Sequence, residues 1–164
     1  IKSCSITKYA IINFLNELKN MNIKNGDVTL RANFNDELLI SIKSEDNIKL
    51  NENVYPDYKV VGIIHNDKCI YGKDHFMEKI GNLYFEVSYN SFFQINSYIN
   101  EHLFNIIKEN TKDDTVLDLY SGVGTLSIMA SKSAKKVYAI EYIQNAVINA
   151  NENAKLNNAE NVRL

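Results

Sequence analysis

The sequence contains little proline and little cysteine, and it has no tryptophan. One proline and six glycines occur in 164 residues, whereas apolar residues make up 45% of the chain. This composition excludes a disordered, low-complexity segment and indicates a folded chain. Its two cysteines, Cys4 and Cys69, are far apart and form no metal-binding pattern with the histidines. We therefore expect no disulfide framework, no metal site and a cytoplasmic location.

Long apolar runs and an excess of one charge are also absent. No run approaches the ~20 apolar residues of a membrane-spanning helix, so we expect no membrane association. Lys and Arg total 18 against 20 Asp and Glu, which argues against a strongly basic, nucleic-acid-coating surface. The chain begins without methionine and ends on the apparent strand start 162–164. We therefore expect it to be part of a longer protein.

Residues 1–90 predict an α+β domain with antiparallel strands. Apolar residues at helical spacing predict a helix over 6–21, with Phe14 and Met21 on its apolar face. Turn residues at Asn35-Asp36 and Asn66-Asp67 separate apolar runs and predict two hairpins. The predicted strands are 28–34, 38–42, 59–65, 68–71 and 83–87.

Residues 91–164 show a different pattern, in which strands alternate with helices. Short apolar strands are predicted at 115–119, 136–140 and from 162, with helices starting near Ser97, after Gly124 and near Ile143. This alternation indicates a parallel α/β sheet of Rossmann-like type. The sequence therefore divides into domains 1–90 and 91–164, the second of them incomplete. An incomplete parallel sheet leaves an apolar edge open, so we also expect self-association.

The turn after the first of these parallel strands has the residues of a nucleoside site. Asp118 ends the strand, Gly122 and Gly124 allow close backbone approach, and a helix follows. Glu141 ends the next strand, 141 − 118 = 23 residues later, where a carboxylate can accept hydrogen bonds from both ribose hydroxyls. Together these features predict half of a domain that binds an adenosine cofactor.

The spacing leaves two cofactors open. NAD fits the distance from Gly122 to Glu141, although Ser127 occupies the position of the third glycine in the dinucleotide pattern. An acid before the glycines, as at Asp118, is typical of S-adenosylmethionine sites. That cofactor has no pyrophosphate and carries an ammonium and a sulfonium group. We favour S-adenosyl-L-methionine.

A second motif, Ser91-Phe92-Phe93-Gln94-Ile95-Asn96, precedes the Ser97 helix. With the segment 118–124, the acid Glu141 and the Asn/Ala-rich helix at 146–157, it resembles the RNA (uracil-5-)-methyltransferase family in order and spacing. The resemblance is specific over residues 83–161, extends to 60–66, and is loose over 1–58. It implies that Gln94, Tyr120 and Glu141 bind S-adenosylmethionine, with Glu141 at the ribose and Tyr120 beside the methionine portion. Ser121 departs from the family's usual cysteine, which is not the nucleophile.

The same resemblance implies what the chain does not contain. In the family, a cysteine adds to C6 of uracil and an acidic base removes the C5 proton, and both residues would lie beyond Leu164. We therefore expect no catalytic residue in this chain and no methyl transfer by it alone. The full-length protein would form 5-methyluridine in RNA, with 23S ribosomal RNA favoured over transfer RNA. A methyltransferase for another substrate (tRNA, a small molecule or a protein) and a non-catalytic cofactor-binding module remain as alternatives.

Overall fold

The computed structural model describes residues 7–94 and 97–164. The chain forms two compact units that divide between Phe76 and Met77. The division predicted near residue 90 comes after this point in the chain. Strand 83–88 lies in the second unit, because it is hydrogen-bonded to the last helix of the chain. As an assignment of domains, 1–90 and 91–164 stays a prediction.

Within residues 7–74, the first unit contains one α-helix and four strands. The predicted helix and both hairpins are confirmed, and the part of the helix predicted at residue 6 lies outside the described residues. The elements are α1 (Tyr9–Leu18), a 3-10 turn (Lys19–Met21), β1 (Asp27–Ala32), β2 (Leu38–Lys43), a 3-10 turn (Pro56–Tyr58), β3 (Val60–His65) and β4 (Lys68–Gly72).

The four strands form one mixed sheet in the order β1-β2-β3-β4. The two hairpins are antiparallel, as predicted. However, β2 and β3 pair in parallel, with Ile40 opposite Ile63, which the sequence did not predict. A parallel pair needs a long crossover, and the polar segment 44–59 provides it. Its Tyr55 is buried, and the Tyr55 hydroxyl accepts the Asn51 N–H at 3.0 Å.

The core of the first unit lies between α1 and the sheet. Phe14 is fully buried there together with apolar side chains of β2 and β3. Its ring lies 5.3 Å from that of Tyr58 in an edge-to-face arrangement and 6.5 Å from that of Tyr55. The crossover segment 44–59 therefore packs against α1 through aromatic contacts.

The second unit alternates strands and helices after an initial strand pair. The elements are β5 (His75–Ile80), which crosses the division, β6 (Leu83–Ser88), α2 (Ser97–Asn110), β7 (Thr115–Leu119), α3 (Thr125–Ala130), β8 (Lys136–Ile140), α4 (Gln144–Leu156) and β9 (Val162–Arg163). The predicted α/β pattern is confirmed, whereas β5 was not predicted because its apolar residues show no clear period. In the described ranges, no helix is long and apolar enough to cross a bilayer.

The last three strands form a parallel sheet in the order β7-β8-β9. Val137, Ala139 and Val162 are buried on one side of it, and α3 packs against β7 and β8. The side chains that alternate with them along β7 and β8 are exposed, namely Leu117, Leu119, Tyr138 and Ile140. The carboxyl ends of β7 and β8 lie side by side, since Leu119 pairs with Ile140. The glycine turn and Glu141 therefore follow neighbouring strand ends.

Truncation of Phe14 tests the core of the first unit. We expect Phe14→Ala to lower the free energy of unfolding by roughly 3–5 kcal/mol, because it removes a fully buried ring from a close-packed site. Tyr9→Ala is the matched control on the same helix, since Tyr9 is 74% exposed and should change stability by about 0.5 kcal/mol or less. Urea unfolding followed by circular dichroism measures both, and similar losses for the two variants would contradict the assignment of the core.

Candidate nucleoside-binding site

The glycine loop, residues 120–124, follows β7 in an unusual backbone conformation. Tyr120, Gly122 and Gly124 have φ angles of +61°, +55° and +81°, a left-handed region that L-residues other than Asn and Asp rarely adopt. At Tyr120 this conformation accompanies a ring that is 89% exposed. The Ser121 N–H donates to the Ile140 carbonyl at 3.0 Å, and the Gly124 N–H donates to the Ser121 carbonyl at 2.9 Å. The loop is therefore fastened to the end of β8.

The two glycines serve different purposes. A Cβ atom at Gly124 would lie 3.2 Å from the Cβ of Ala150, so α4 packs directly against this residue. At Gly122 a Cβ atom would meet nothing within 4 Å. Gly122 is thus required by its backbone angle rather than by packing, and it leaves open space into which a ligand can approach the backbone.

Glu141 is held beside this loop by three backbone N–H groups. One carboxylate oxygen accepts the Gly122 N–H at 2.9 Å. The other accepts the N–H groups of Tyr142 and Ile143, both at 2.8 Å. The bonds from Ile143 and Gly122 are the main reason that the pKa of the Glu141 carboxyl lies below its usual value. At neutral pH the group is therefore an ionised hydrogen-bond acceptor.

Asp118 plays a different part from Glu141. It is half-buried, and one of its carboxylate oxygens accepts the Ser127 hydroxyl at 2.5 Å. Burial raises the pKa of Asp118, and the Ser127 hydrogen bonds oppose that shift. Asp118 thus ties the end of β7 to the first turn of α3.

Gln94, the third predicted cofactor residue, lies on the segment after β6. Its side chain is exposed, and its carbonyl accepts the Asn100 side-chain N–H at 3.3 Å. Phe93 beside it is buried, with its ring 5.8 Å from that of Phe85. The structure brings Gly122 and Glu141 into contact, but within the described residues no hydrogen bond joins Gln94 to them. Ile95 and Asn96 of the same motif lie outside the described residues.

The cysteines can be placed only in part. Cys69 is exposed on β4, and its thiol lies 3.4 Å from the Tyr71 carbonyl. Cys4 lies outside the described residues.

The contribution of three asparagines on α4 was missed from the sequence. Asn149, Asn153 and Asn157 are all buried, and they bind the segment 84–91 through their side chains. Their spacing of four residues along one helix face was the available signal, because buried amides need partners.

A parallel sheet with a glycine turn after one strand and an acid at the end of the next defines a Rossmann-like nucleoside-binding unit. Comparison with known proteins makes the class more specific. The sequence model of the family described as tRNA (Uracil-5-)-methyltransferase matches residues 8–164. The chain belongs to this family, which is one of RNA methyltransferases.

Two curated relatives agree with this membership. An uncharacterized RNA methyltransferase of Caldanaerobacter subterraneus subsp. tengcongensis is 35% identical over 158 residues, which cover 82% of this chain and 35% of the relative. An uncharacterized RNA methyltransferase of Clostridium tetani is 37% identical over 158 residues, with the same coverage of 82% and 35%. The chain thus spans 35% of the length of these two relatives.

Solved structures share the fold. The tRNA (uracil-54, C5)-methyltransferase of Pyrococcus abyssi, solved with S-adenosyl-L-homocysteine, superposes with a TM-score of 0.76 at 22% identity, covering 100% of this chain and 49% of that one. A tRNA m1G37 methyltransferase of Methanocaldococcus jannaschii gives a TM-score of 0.54 at 21% identity, covering 97% of this chain and 51% of the other. The Rossmann-like fold predicted for the second domain is confirmed.

Ser121 offers a test of how this loop is packed. Its side chain is buried, and its hydroxyl has no hydrogen-bond partner in the described part of the chain. An unsatisfied buried hydroxyl costs about 1–3 kcal/mol, whereas a thiol behaves as a small apolar group. We therefore expect Ser121→Cys to raise the free energy of unfolding by roughly 1 kcal/mol. Ser127→Cys is the matched control and should lower it, because the Ser127 hydroxyl is bonded to Asp118. Urea unfolding measures both variants, and a loss of stability in Ser121→Cys would contradict this prediction.

Glu141 predicts a pH dependence of stability. Because its pKa is lowered on folding, its hydrogen bonds stabilise the fold above the ordinary pKa of a glutamate. That contribution is lost as the pH falls through the lower pKa of the folded state. The stability difference between the wild type and Glu141→Gln should therefore be largest near neutral pH and shrink in acid. Glu152→Gln, on the exposed face of α4, should differ from wild type by about 0.5 kcal/mol or less throughout. Urea unfolding at a series of pH values checks this, and a constant difference for Glu141→Gln would contradict it.

Proposed function

We propose that residues 91–164 form the first part of an S-adenosyl-L-methionine site. We further propose that the whole protein methylates C5 of uridine in RNA. The observation that carries the proposal is the Glu141 carboxylate, held ionised at the end of β8 beside the open backbone of Gly122. The membership in the tRNA (Uracil-5-)-methyltransferase family supports the reaction type.

The residues of the site fit S-adenosyl-L-methionine. The ribose of the cofactor has two neighbouring hydroxyl donors, and an ionised carboxylate is the acceptor that suits them. The open space at Gly122 gives the ligand room next to the backbone. Tyr120 presents an exposed ring on the same loop for the methionine portion. Gln94 is proposed as a third contact from its place in the family motif.

The hydrogen bonds within the loop favour this cofactor over NAD. A dinucleotide pyrophosphate is bound by free backbone N–H groups of the glycine turn. Here the N–H groups of Ser121, Gly122 and Gly124 donate to Ile140, Glu141 and Ser121 respectively. They are therefore already engaged within the protein. A nucleoside cofactor without phosphates does not need these N–H groups for binding.

Each residue of the site has a separate proposed role in binding the cofactor. When bound, the cofactor supplies a methyl group on a positively charged sulfonium. Glu141 orients the ribose, Tyr120 lies beside the methionine portion, and Asp118 fixes α3 against β7 through Ser127. The nucleophilic cysteine and the general base are proposed to lie beyond Leu164, so this chain alone is proposed to be inactive.

The substrate proposed is structured RNA, with 23S ribosomal RNA favoured over transfer RNA. The preference rests on the resemblance to the bacterial ribosomal branch, whereas the family description names tRNA. The target uridine has to leave its stack to reach the reacting groups. A cytoplasmic location is part of the proposal.

Substitution of Glu141 tests the cofactor assignment in the whole protein. Glu141→Ala removes charge-assisted hydrogen bonds to the ribose worth about 1–3 kcal/mol. We expect the Kd for S-adenosyl-L-homocysteine, measured by calorimetry, to rise roughly 5- to 150-fold. Glu152→Ala is the matched control, since Glu152 is exposed on α4 and forms a surface ion pair with Lys155 at 2.8 Å. Its affinity should equal that of the wild type.

Unchanged affinity in Glu141→Ala would defeat the assignment of the ribose site. The reaction and the RNA are tested separately, by incubating the whole protein with labelled cofactor and either 23S ribosomal RNA or transfer RNA. Label in 5-methyluridine of one RNA identifies the substrate. Binding of the cofactor without label in either RNA would argue against the proposed reaction.

A further inference from the structure

Three asparagines of α4 form a row along one face of the helix. Asn149, Asn153 and Asn157 are spaced by four residues and are 3%, 0% and 8% exposed. Side chains four apart on a helix lie one above the other. The row faces β6, and its side chains bond to residues of the second unit.

Two of these side chains pair with β6 as a neighbouring strand would. Asn157 accepts the Tyr84 N–H at 3.0 Å and donates to the Tyr84 carbonyl at 2.6 Å. Asn153 accepts the Glu86 N–H at 2.6 Å and donates to the Glu86 carbonyl at 3.0 Å. A side-chain amide has the same donor and acceptor as a peptide group. Since Tyr84 and Glu86 are two positions apart, their peptide groups face the same side of the strand.

Within the described residues, Asn153 is the one asparagine of this row whose side chain also bonds to the glycine loop. Its second side-chain N–H donates to the Val123 carbonyl at 3.0 Å, and this bond is buried. Both N–H groups of Asn153 and its carbonyl oxygen are therefore used, and they join β6 to the loop. The contact of Gly124 with Ala150 supports the same placement from the neighbouring turn of α4.

We propose that Asn153 is a positioning residue of the cofactor site, which holds the glycine loop in register with β6 so that Tyr120 meets the methionine portion of the ligand. This inference rests on the function proposed above. Of the three bonds to the Glu141 carboxylate, the one from Gly122 involves the loop, whereas those from Tyr142 and Ile143 do not. Loss of Asn153 therefore weakens binding of the methionine portion more than binding of the ribose.

The test compares two ligands and two asparagines in the whole protein. We expect Asn153→Ala to raise the Kd for S-adenosyl-L-homocysteine about tenfold or more, which is the effect of one lost hydrogen bond. The Kd for adenosine, which lacks the methionine portion, should rise by about threefold or less. Asn157→Ala is the matched control, because Asn157 makes the same paired bonds to β6 and, within the described residues, no side-chain bond to the loop. It should change the ratio of the two Kd values by about twofold or less.

Asn153→Asp provides a second variant of nearly the same size, which avoids the cavity that alanine leaves. It should show the same loss of selectivity for S-adenosyl-L-homocysteine over adenosine. Equal losses for both ligands, or the same change of ratio in Asn157→Ala, would overturn the proposal. Failure of both Asn153 variants to fold while Asn157→Ala folds would assign Asn153 to the core instead, which also overturns it. If the wild type binds neither ligand, the proposed function itself is wrong.

Discussion

The second unit depends on peptide-like pairing between the side-chain amides of α4 and the backbone of β6. Asn153 and Asn157 bond to four backbone polar groups of β6, as a neighbouring strand would. Buried backbone groups without partners cost free energy comparable to a lost hydrogen bond. The amides thus let α4 pack against the backbone of β6, which apolar side chains alone could not do.

The glycine loop gains its shape from the same arrangement. Asn153 holds Val123 from one side, and the Ile140 carbonyl and Glu141 carboxylate hold Ser121 and Gly122 from the other. Left-handed residues such as Tyr120 persist only where the surrounding structure fixes them. The ends of β7 and β8 and the row of amides together supply that constraint. The exposed ring of Tyr120 and the open space at Gly122 follow from a backbone that is tied on two sides.

The sequence predicted local structure well because its signals are local. Helical spacing identified α1, turn residues identified both hairpins, and the alternation of strands with helices identified the parallel sheet. The parallel pairing of β2 with β3 was not predicted, because it depends on where the segment 44–59 returns the chain. Gly122 and Glu141 could be expected to meet, since parallel strands end at the same edge of a sheet. The partners of Asn153 could not be predicted, since the residue types at positions 86 and 123 do not indicate that their backbone groups bind a side-chain amide.

A helix bound to a strand through amides is also subject to the slow chemistry of amides. Asparagine is among the residues least durable at high temperature, and its hydrolysis replaces an N–H donor with a carboxylate oxygen. At Asn153 that oxygen would face the carbonyls of Glu86 and Val123, which now accept its hydrogen bonds. Complete burial shields the group from water while the unit is closed, so the damage requires local opening. The time for which the glycine loop keeps its conformation thus depends on how rarely α4 separates from β6.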